Sequence, residues 1–279
     1  MAAKDKWSED KIERLQAEGC GKGVGSNYKP WIHVQDFSSQ GNSRRVFSQK
    51  TGRVHHLLSD VEWNLFLLLE HAHTVIDIRE QFPLPRDETL SIAAQKNIKH
   101  PIYPGTKVPT VMTSDFVVTS NRNGHKVLDA FSCKRTDAAD NLRVLEKLEI
   151  ERAYFSDLGI PHHLVFHSEL PKNKINNLIW CRSATINDKG VEEYAEALTE
   201  HTQRLLHELR QPARSCSLSE YCNNYDMRAG ATPGTGLRVV RALLWQGELT
   251  TDLNQRDLAA TPIAMFRVNQ KQGLRTVGA

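Results

Sequence analysis

Residues 113–134, TSDFVVTSNRNGHKVLDAFSCK, restrict the fold of this chain more than any other stretch. β-Branched and aromatic residues (Phe116, Val117 and Val118, then Val127, Leu128 and Phe131) flank the dipeptide Asn123-Gly124. Both members of an Asn-Gly pair tolerate the positive φ that a two-residue hairpin turn requires. The pattern predicts two antiparallel strands. Folding them together brings Asp115, near the start of the first, toward Lys134 at the end of the second. Alternation puts Ser132 and Lys134 on one face. One acid on a strand, with a lysine and a polar residue two apart on its neighbour, is the layout of a metal-dependent phosphodiesterase core. A third group, Glu62, comes from earlier in the chain.

A chain of 279 residues holds one large or two ordinary domains. With 39% hydrophobic and 25% charged residues it is composed like a folded globular protein, which argues against extensive disorder. No apolar run approaches the roughly 18 residues of a membrane helix, and MAAKDKWSEDK lacks the apolar core of a signal peptide, so the expected location is the cytoplasm, with no membrane partner. Five scattered cysteines without a CxxC pair, and histidines without zinc-ligand spacing, argue against disulfides and a structural zinc. The net charge of +3 says little by itself. Local clustering says more: Arg44, Arg45, Lys50, Arg53, His55 and His56 crowd into one polar stretch that either approaches a phosphate backbone or is a solvated loop.

In chain order, SEDKIERLQA (8–17) predicts a short helix capped by Ser8. The glycines at 19, 21, 23 and 25 read as a flexible connector, since no strand precedes them and no GKS/T follows. YKPWIHVQDF (28–37) reads as strand-like. Ser59 and Glu62 form a capping box opening a helix with Val61, Leu65, Phe66, Leu68 and Leu69 on its apolar side. Glu62 thus has two competing roles. It can be a capping glutamate, or, because it lines up with Phe66 and Leu69 on the buried stripe, a carboxylate in need of a cation. HTVIDI (73–78) predicts a strand that bends away at the following prolines, and 86–99 is helical or irregular. Residues 139–158 predict a long amphipathic helix stopped by Gly159, and HHLVFHS (162–168) a short buried strand in which His162 and His163 pack and hydrogen-bond. The sum is a mixed sheet with helices on its faces. Beyond about Pro171 the character changes: residues 172–279 carry 14 basic and 11 acidic side chains, against 22 of each before them. Helices over about 189–210, 217–227 and 235–246, followed by strand-like pieces, suggest a winged-helix-like, otherwise all-α domain for DNA or protein contacts. The expected division is 1–170 and 171–279.

Hydrolysing a phosphodiester needs an activated water, neutralised phosphate charge and a stabilised leaving oxygen, which hard divalent cations held by carboxylates provide. Asp115 and Glu62 are the candidate anionic ligands, with the Cys133 carbonyl as a neutral oxygen between Ser132 and Lys134. Lys134 would orient or deprotonate the water, or stabilise the transition state; a lysine pKa falls readily on burial beside cations. Cys133 itself has no spaced base to activate it and reads as a small buried residue.

The segment TGRVHHLLSDVEWNLFLLLEHAHTVIDIREQFPL, with IKHP (98–101), VMTSDF (111–116) and LEKLEIERAYF (145–155), resembles the TnsA family, the endonuclease subunits of heteromeric transposases of Tn-seven-type transposons. The resemblance covers most of residues 1–170 in one colinear order and the tail more loosely. It implies a restriction-endonuclease-like core and Mg²⁺, which Mn²⁺ can replace, with the family's acid, acid, lysine triad falling on Glu62, Asp115 and Lys134. It also implies cleavage of the 5′ strand at each transposon end, a TnsB-type transposase that processes the 3′ ends, and a TnsC-type AAA+ ATPase contacted by the C-terminal region.

One position departs from that pattern. The family usually carries Gln or Glu two residues before the lysine, whereas this chain has Ser132, a shorter neutral ligand that would reach a metal through water. The expected consequence is either a lower metal affinity or compensation by a helix carboxylate such as Glu146 or Glu149. Two rival readings follow: a stand-alone restriction-like or repair nuclease that cuts without partners, and a catalytically decayed scaffold or DNA-binding subunit.

Overall fold

The computed structural model describes residues 7–34, 42–138, 140–185, 198–210 and 215–269. The chain divides into two compact units, Met1–Leu170 and Pro171–Ala279. The first contains, in order, α1 (Glu9–Ala17), β1 (Arg44–Ser48), β2 (Arg53–Leu57), α2 (Asp60–His71), β3 (Val75–Pro83), α3 (Arg86–Gln95), β4 (Thr113–Arg122), β5 (His125–Lys134), α4 (Leu142–Asp157) and β6 (His162–Phe166).

Asn123 and Gly124 sit at φ +54° and +84°, the pair of positive values a two-residue turn demands, and close β4 onto β5 with Arg122 opposite His125 and Phe116 opposite Phe131. β3 adds antiparallel to β4. β6 adds parallel to β5, which antiparallel turns cannot achieve; α4 supplies the crossover. The result is a mixed four-stranded sheet in the order β3-β4-β5-β6, the α/β core expected of a restriction-endonuclease-like fold. Leu84, Ile92, Met112, Val117, Ala130, Ile150 and Phe155 join α3, α4 and one set of alternating strand positions into a core, and α2 lies against β3 and β5. Ser59 caps α2 by accepting from Glu62 N at 3.2 Å, and Asn141 caps α4 through Val144 N at 3.2 Å.

Several expectations are corrected. The glycine-rich run is not a flexible connector but a folded turn against the end of β3: a Cβ at Gly21 would lie 2.1 Å from the Pro83 ring, and Gly25 N donates to Asp77 Oδ1 at 3.1 Å. Residues 28–34 form no strand. Tyr28 and Trp31 are buried there singly, the Trp31 amide bonding to the Gln81 carbonyl, and 35–37 lie outside the described residues. The 44–57 stretch is a hairpin, β1-β2, rather than a loop. β3 runs beyond the expected Ile78 to Pro83, and the chain then turns away at Pro83 and Pro85 as expected. β6 is not buried: with β5 as its sheet neighbour it is an edge strand, and Leu164 is exposed.

The second unit holds α5 (Lys172–Arg182), α6 (Thr199–Glu208), α7 (Leu218–Ala229), α8 (Thr235–Trp245) and a short antiparallel pair, β7 (Leu249–Thr250) and β8 (Arg267–Val268). α5 had no counterpart in the sequence reading; it starts after Pro171 without a side-chain cap and is rich in asparagine. Of the helix expected over 189–210, residues 189–197 lie outside the described residues. α8 is central: Val239, Val240, Ala242, Leu243 and Leu244 are buried against α5, α6 and α7. Its start is fixed by Asp226 of α7, whose two carboxylate oxygens accept from Gly234 N and Gly236 N, each at 2.7 Å.

Candidate active site at the end of the hairpin

Antiparallel pairing brings Asp115 of β4 to Cys133 and Lys134 of β5. Asp115 Oδ2 accepts from Cys133 N at 2.6 Å and from Lys134 Nζ at 3.1 Å, and Nζ also donates to the Cys133 carbonyl at 3.0 Å. Burial alone would push the Lys134 ammonium down, but the carboxylates of Asp115 and Glu151 outweigh it and hold its pKa above the ordinary lysine range. In this environment Lys134 carries its positive charge and is suited to stabilising negative charge.

Glu62, in the first turn of α2, takes part in the cap and also carries a buried carboxylate. The Ser59 cap holds its amide, while its carboxylate turns inward. Oε1 accepts from Ser59 Oγ at 2.9 Å; Oε2 accepts from Leu58 N at 2.9 Å and from Gln81 Nε2 at 3.3 Å. Burial, then the charge of Asp115, push its pKa up to about 8. The same burial, with Asp115 and Glu62, raises the Cys133 thiol, which is therefore no nucleophile.

Ser132 is fully buried, and its hydroxyl is already engaged. It donates to Glu151 Oε1 of α4 at 2.7 Å and bonds His162 Nε2 of β6 at 2.8 Å. The carboxylate behind this position is therefore Glu151, not Glu146 or Glu149, which are held in ion pairs by Arg143 and by Arg152 and Lys96 respectively. The sequence carried a clue to Glu151: it lies at helical spacing from Leu148 and Phe155, on the buried stripe of α4, as Glu62 does on α2.

The basic stretch divides. Arg53 and His55 are buried around Glu80: Arg53 Nη1 and Nη2 bond Oε1 and Oε2 at 2.8 and 2.6 Å, and His55 Nδ1 lies 2.8 Å from Oε2. Although burial by itself would raise the Glu80 pKa, His55 and Arg53 hold it at about 2. Lys50 Nζ donates to the Leu69 and Ala72 carbonyls at the end of α2. His56 Nδ1 accepts from Val34 N. Of the residues expected at DNA, Arg53 and His55 are thus turned into the protein toward a buried acid, while Lys50 and His56 are partly exposed. Arg44 and Arg45 remain exposed, Arg44 paired to Asp60 at 2.8 Å.

Two buried carboxylates are thus treated differently. Glu80 is neutralised by Arg53, whereas Glu62 is held by neutral donors and faces a second acid. Oxygen donors with uncompensated negative charge suit a hard divalent cation. Among the described residues, no three His, Cys, Asp or Glu side chains close into a preformed cage.

Residues 72–167 match the family model described as TnsA-like endonuclease N terminal, and residues 169–253 that described as TnsA endonuclease C terminal. The chain is 38% identical over 245 residues to the transposon Tn7 transposition protein TnsA of Escherichia coli, covering 88% of this chain and 86% of that protein. With an acid and a lysine meeting at the end of a hairpin in a mixed sheet, the chain belongs to the TnsA family, as an endonuclease subunit of a transposase.

Proposed function

We propose that the chain is a Mg²⁺-dependent endonuclease that cuts the 5′ strands at transposon ends, with Glu62, Asp115 and Lys134 as the catalytic set. The supporting observation is the approach of two buried or half-buried carboxylates whose mutual repulsion no bound cation of the protein fully offsets, with Lys134 bonded to one of them. Glu62, Asp115 and the Cys133 carbonyl would hold the ion, and Mn²⁺ would replace it. A bound divalent ion supplies phosphate neutralisation and an acidified water. Lys134 stabilises charge on the phosphate under attack. Ser132, engaged by Glu151 and His162, acts behind the ligands as a support.

The same carboxylates weigh against a decayed scaffold. An uncompensated buried acid costs stability, and a site without function gains nothing by keeping it. Residues 1–170 would be the catalytic domain. Residues 171–279, which carry the excess positive charge, would contact DNA, a TnsB-type transposase that processes the 3′ ends, and a TnsC-type AAA+ ATPase. A role on chromosomal DNA fits the bacterial cytoplasm, and no helix among the described residues is long and apolar enough to cross a membrane.

The test is strand-specific nicking of transposon-end DNA by the full chain with its TnsB-type partner, in Mg²⁺ or Mn²⁺. The expected result is 5′-strand cuts by the wild type and none by Asp115→Ala. Equal product from both would overturn the proposal, and efficient cutting without any partner would favour the stand-alone nuclease.

A further inference from the structure

Gln81 is the residue of β3 whose backbone departs most from a strand. Its φ is +47°, a left-handed value that a side chain disfavours and that persists only where the surroundings enforce it. The register pairs Glu80 with Phe116 and Phe82 with Ser114, so Gln81 stands across from Asp115. Its carbonyl accepts from Trp31 N at 3.2 Å. The side chain, 2% exposed, is strung between two elements of the site: Nε2 donates to Glu62 Oε2 at 3.3 Å, and Oε1 accepts from Thr113 Oγ1 at 3.3 Å, two residues before Asp115.

We propose that Gln81 is a positioning residue for the nuclease: its amide holds the Glu62 carboxylate toward Asp115 and so sets the affinity of the site for a divalent cation. The other two donors to that carboxylate, Leu58 N and Ser59 Oγ, belong to the N-terminus of α2 itself and fix Glu62 within its helix. Gln81 ties it to the sheet that carries Asp115. With Glu62 ionised, the amide can do so in one orientation only. The Thr113 hydroxyl donates to Oε1, which leaves Nε2 for Glu62; the reverse would set a carbonyl oxygen against a carboxylate. A neutral donor also orients an acid without neutralising it, whereas an arginine, as at Glu80, would occupy the charge that a metal needs. Glycine would adopt the same φ without strain, so it is the side chain that this position retains at a cost.

The inference rests on the metal-dependent reading of the site, and the experiment separates the two. Gln81→Gly and Gln81→Asn both tolerate a positive φ, so the fold is kept while the amide is removed or shortened by one methylene. Mn²⁺ binding to the full chain is measured by calorimetry, alongside the urea midpoint and nicking as a function of Mg²⁺. Both variants are expected to unfold at or above the wild-type midpoint, yet to bind Mn²⁺ about 10-fold more weakly, with the Mg²⁺ requirement for nicking shifted by a similar factor. Asp115→Ala is expected to lose Mn²⁺ binding altogether. If Asp115→Ala loses binding and both Gln81 variants bind as the wild type does, Gln81 has no positioning role and the nuclease reading stands. If Asp115→Ala binds Mn²⁺ unchanged, both proposals fall.

Discussion

Glu62 and Glu80 are buried carboxylates, 5% and 0% exposed, whose surroundings drive them in opposite directions. Arg53 and His55 clamp Glu80 and hold it at about 2; Glu62 has neutral donors and Asp115 beside it, and is pushed up to about 8. The first arrangement stabilises the fold. The second leaves an electrostatic conflict that a cation would relieve.

That conflict gives a pH dependence. The Glu62 carboxyl has an ordinary value of 4.5 and rises to about 8 in the folded state, so the native protein binds a proton that the unfolded chain has lost between those values. This stabilisation is complete below about pH 4.5 and disappears as pH climbs through about 8. Glu62→Gln removes the dependence. Urea midpoints should fall more between pH 5 and 8.5 for the wild type than for the variant, which should be the more stable protein at pH 8.5, by more than about 1 kcal/mol.

Asp115→Asn should lose activity and flatten the pH dependence of stability. Removing its charge removes the second-largest cause of the Glu62 shift, and with it the partner of Lys134. Nicking should fall at least about 100-fold, while the urea midpoint should fall less between pH 5 and 8.5 than it does for the wild type. An unchanged pH dependence would contradict the repulsion between the two acids.

Arg53→Met should cost stability outright. It leaves Glu80 buried without its guanidinium partner, which costs about 3–5 kcal/mol. Because Arg53 faces inward, the salt dependence of DNA binding by the remaining folded protein should match the wild type. A shallower slope would return Arg53 to the DNA interface.

Ser132→Ala strands Glu151 and His162 without their shared hydroxyl. Loss of that bond should destabilise the protein by about 1–3 kcal/mol in chemical unfolding and weaken nicking. Ser132→Thr keeps the hydroxyl and should recover part of both. A fully stable, fully active Ser132→Ala would remove Ser132 from the support of the site.

What the sequence disclosed follows from the range of the forces involved. The β4-β5 hairpin was legible because Asn123-Gly124 and its flanking strands act locally, and the hairpin carries Asp115 to Lys134 without further information. Glu62 was legible from its place on a buried helical stripe, supported by the family resemblance. The direction of the basic stretch was not, because Arg53 is turned inward by Glu80, 27 residues away, and charge density along a chain is silent about a tertiary partner. Gln81 escaped notice because an uncharged amide in a strand has no periodicity to betray it, and its left-handed backbone carries no glycine as a marker. The glycine-rich turn was misread for the opposite reason: glycines mark freedom in an isolated chain, but here they allow close approach to Pro83.

The two acids and the lysine sit on α2, β4 and β5, separate elements that meet only once the sheet has formed. A ribosome-bound or partly unravelled chain therefore keeps these three side chains apart, and so does a proteolytic fragment from either side of β3. Only a copy that has finished folding presents them together.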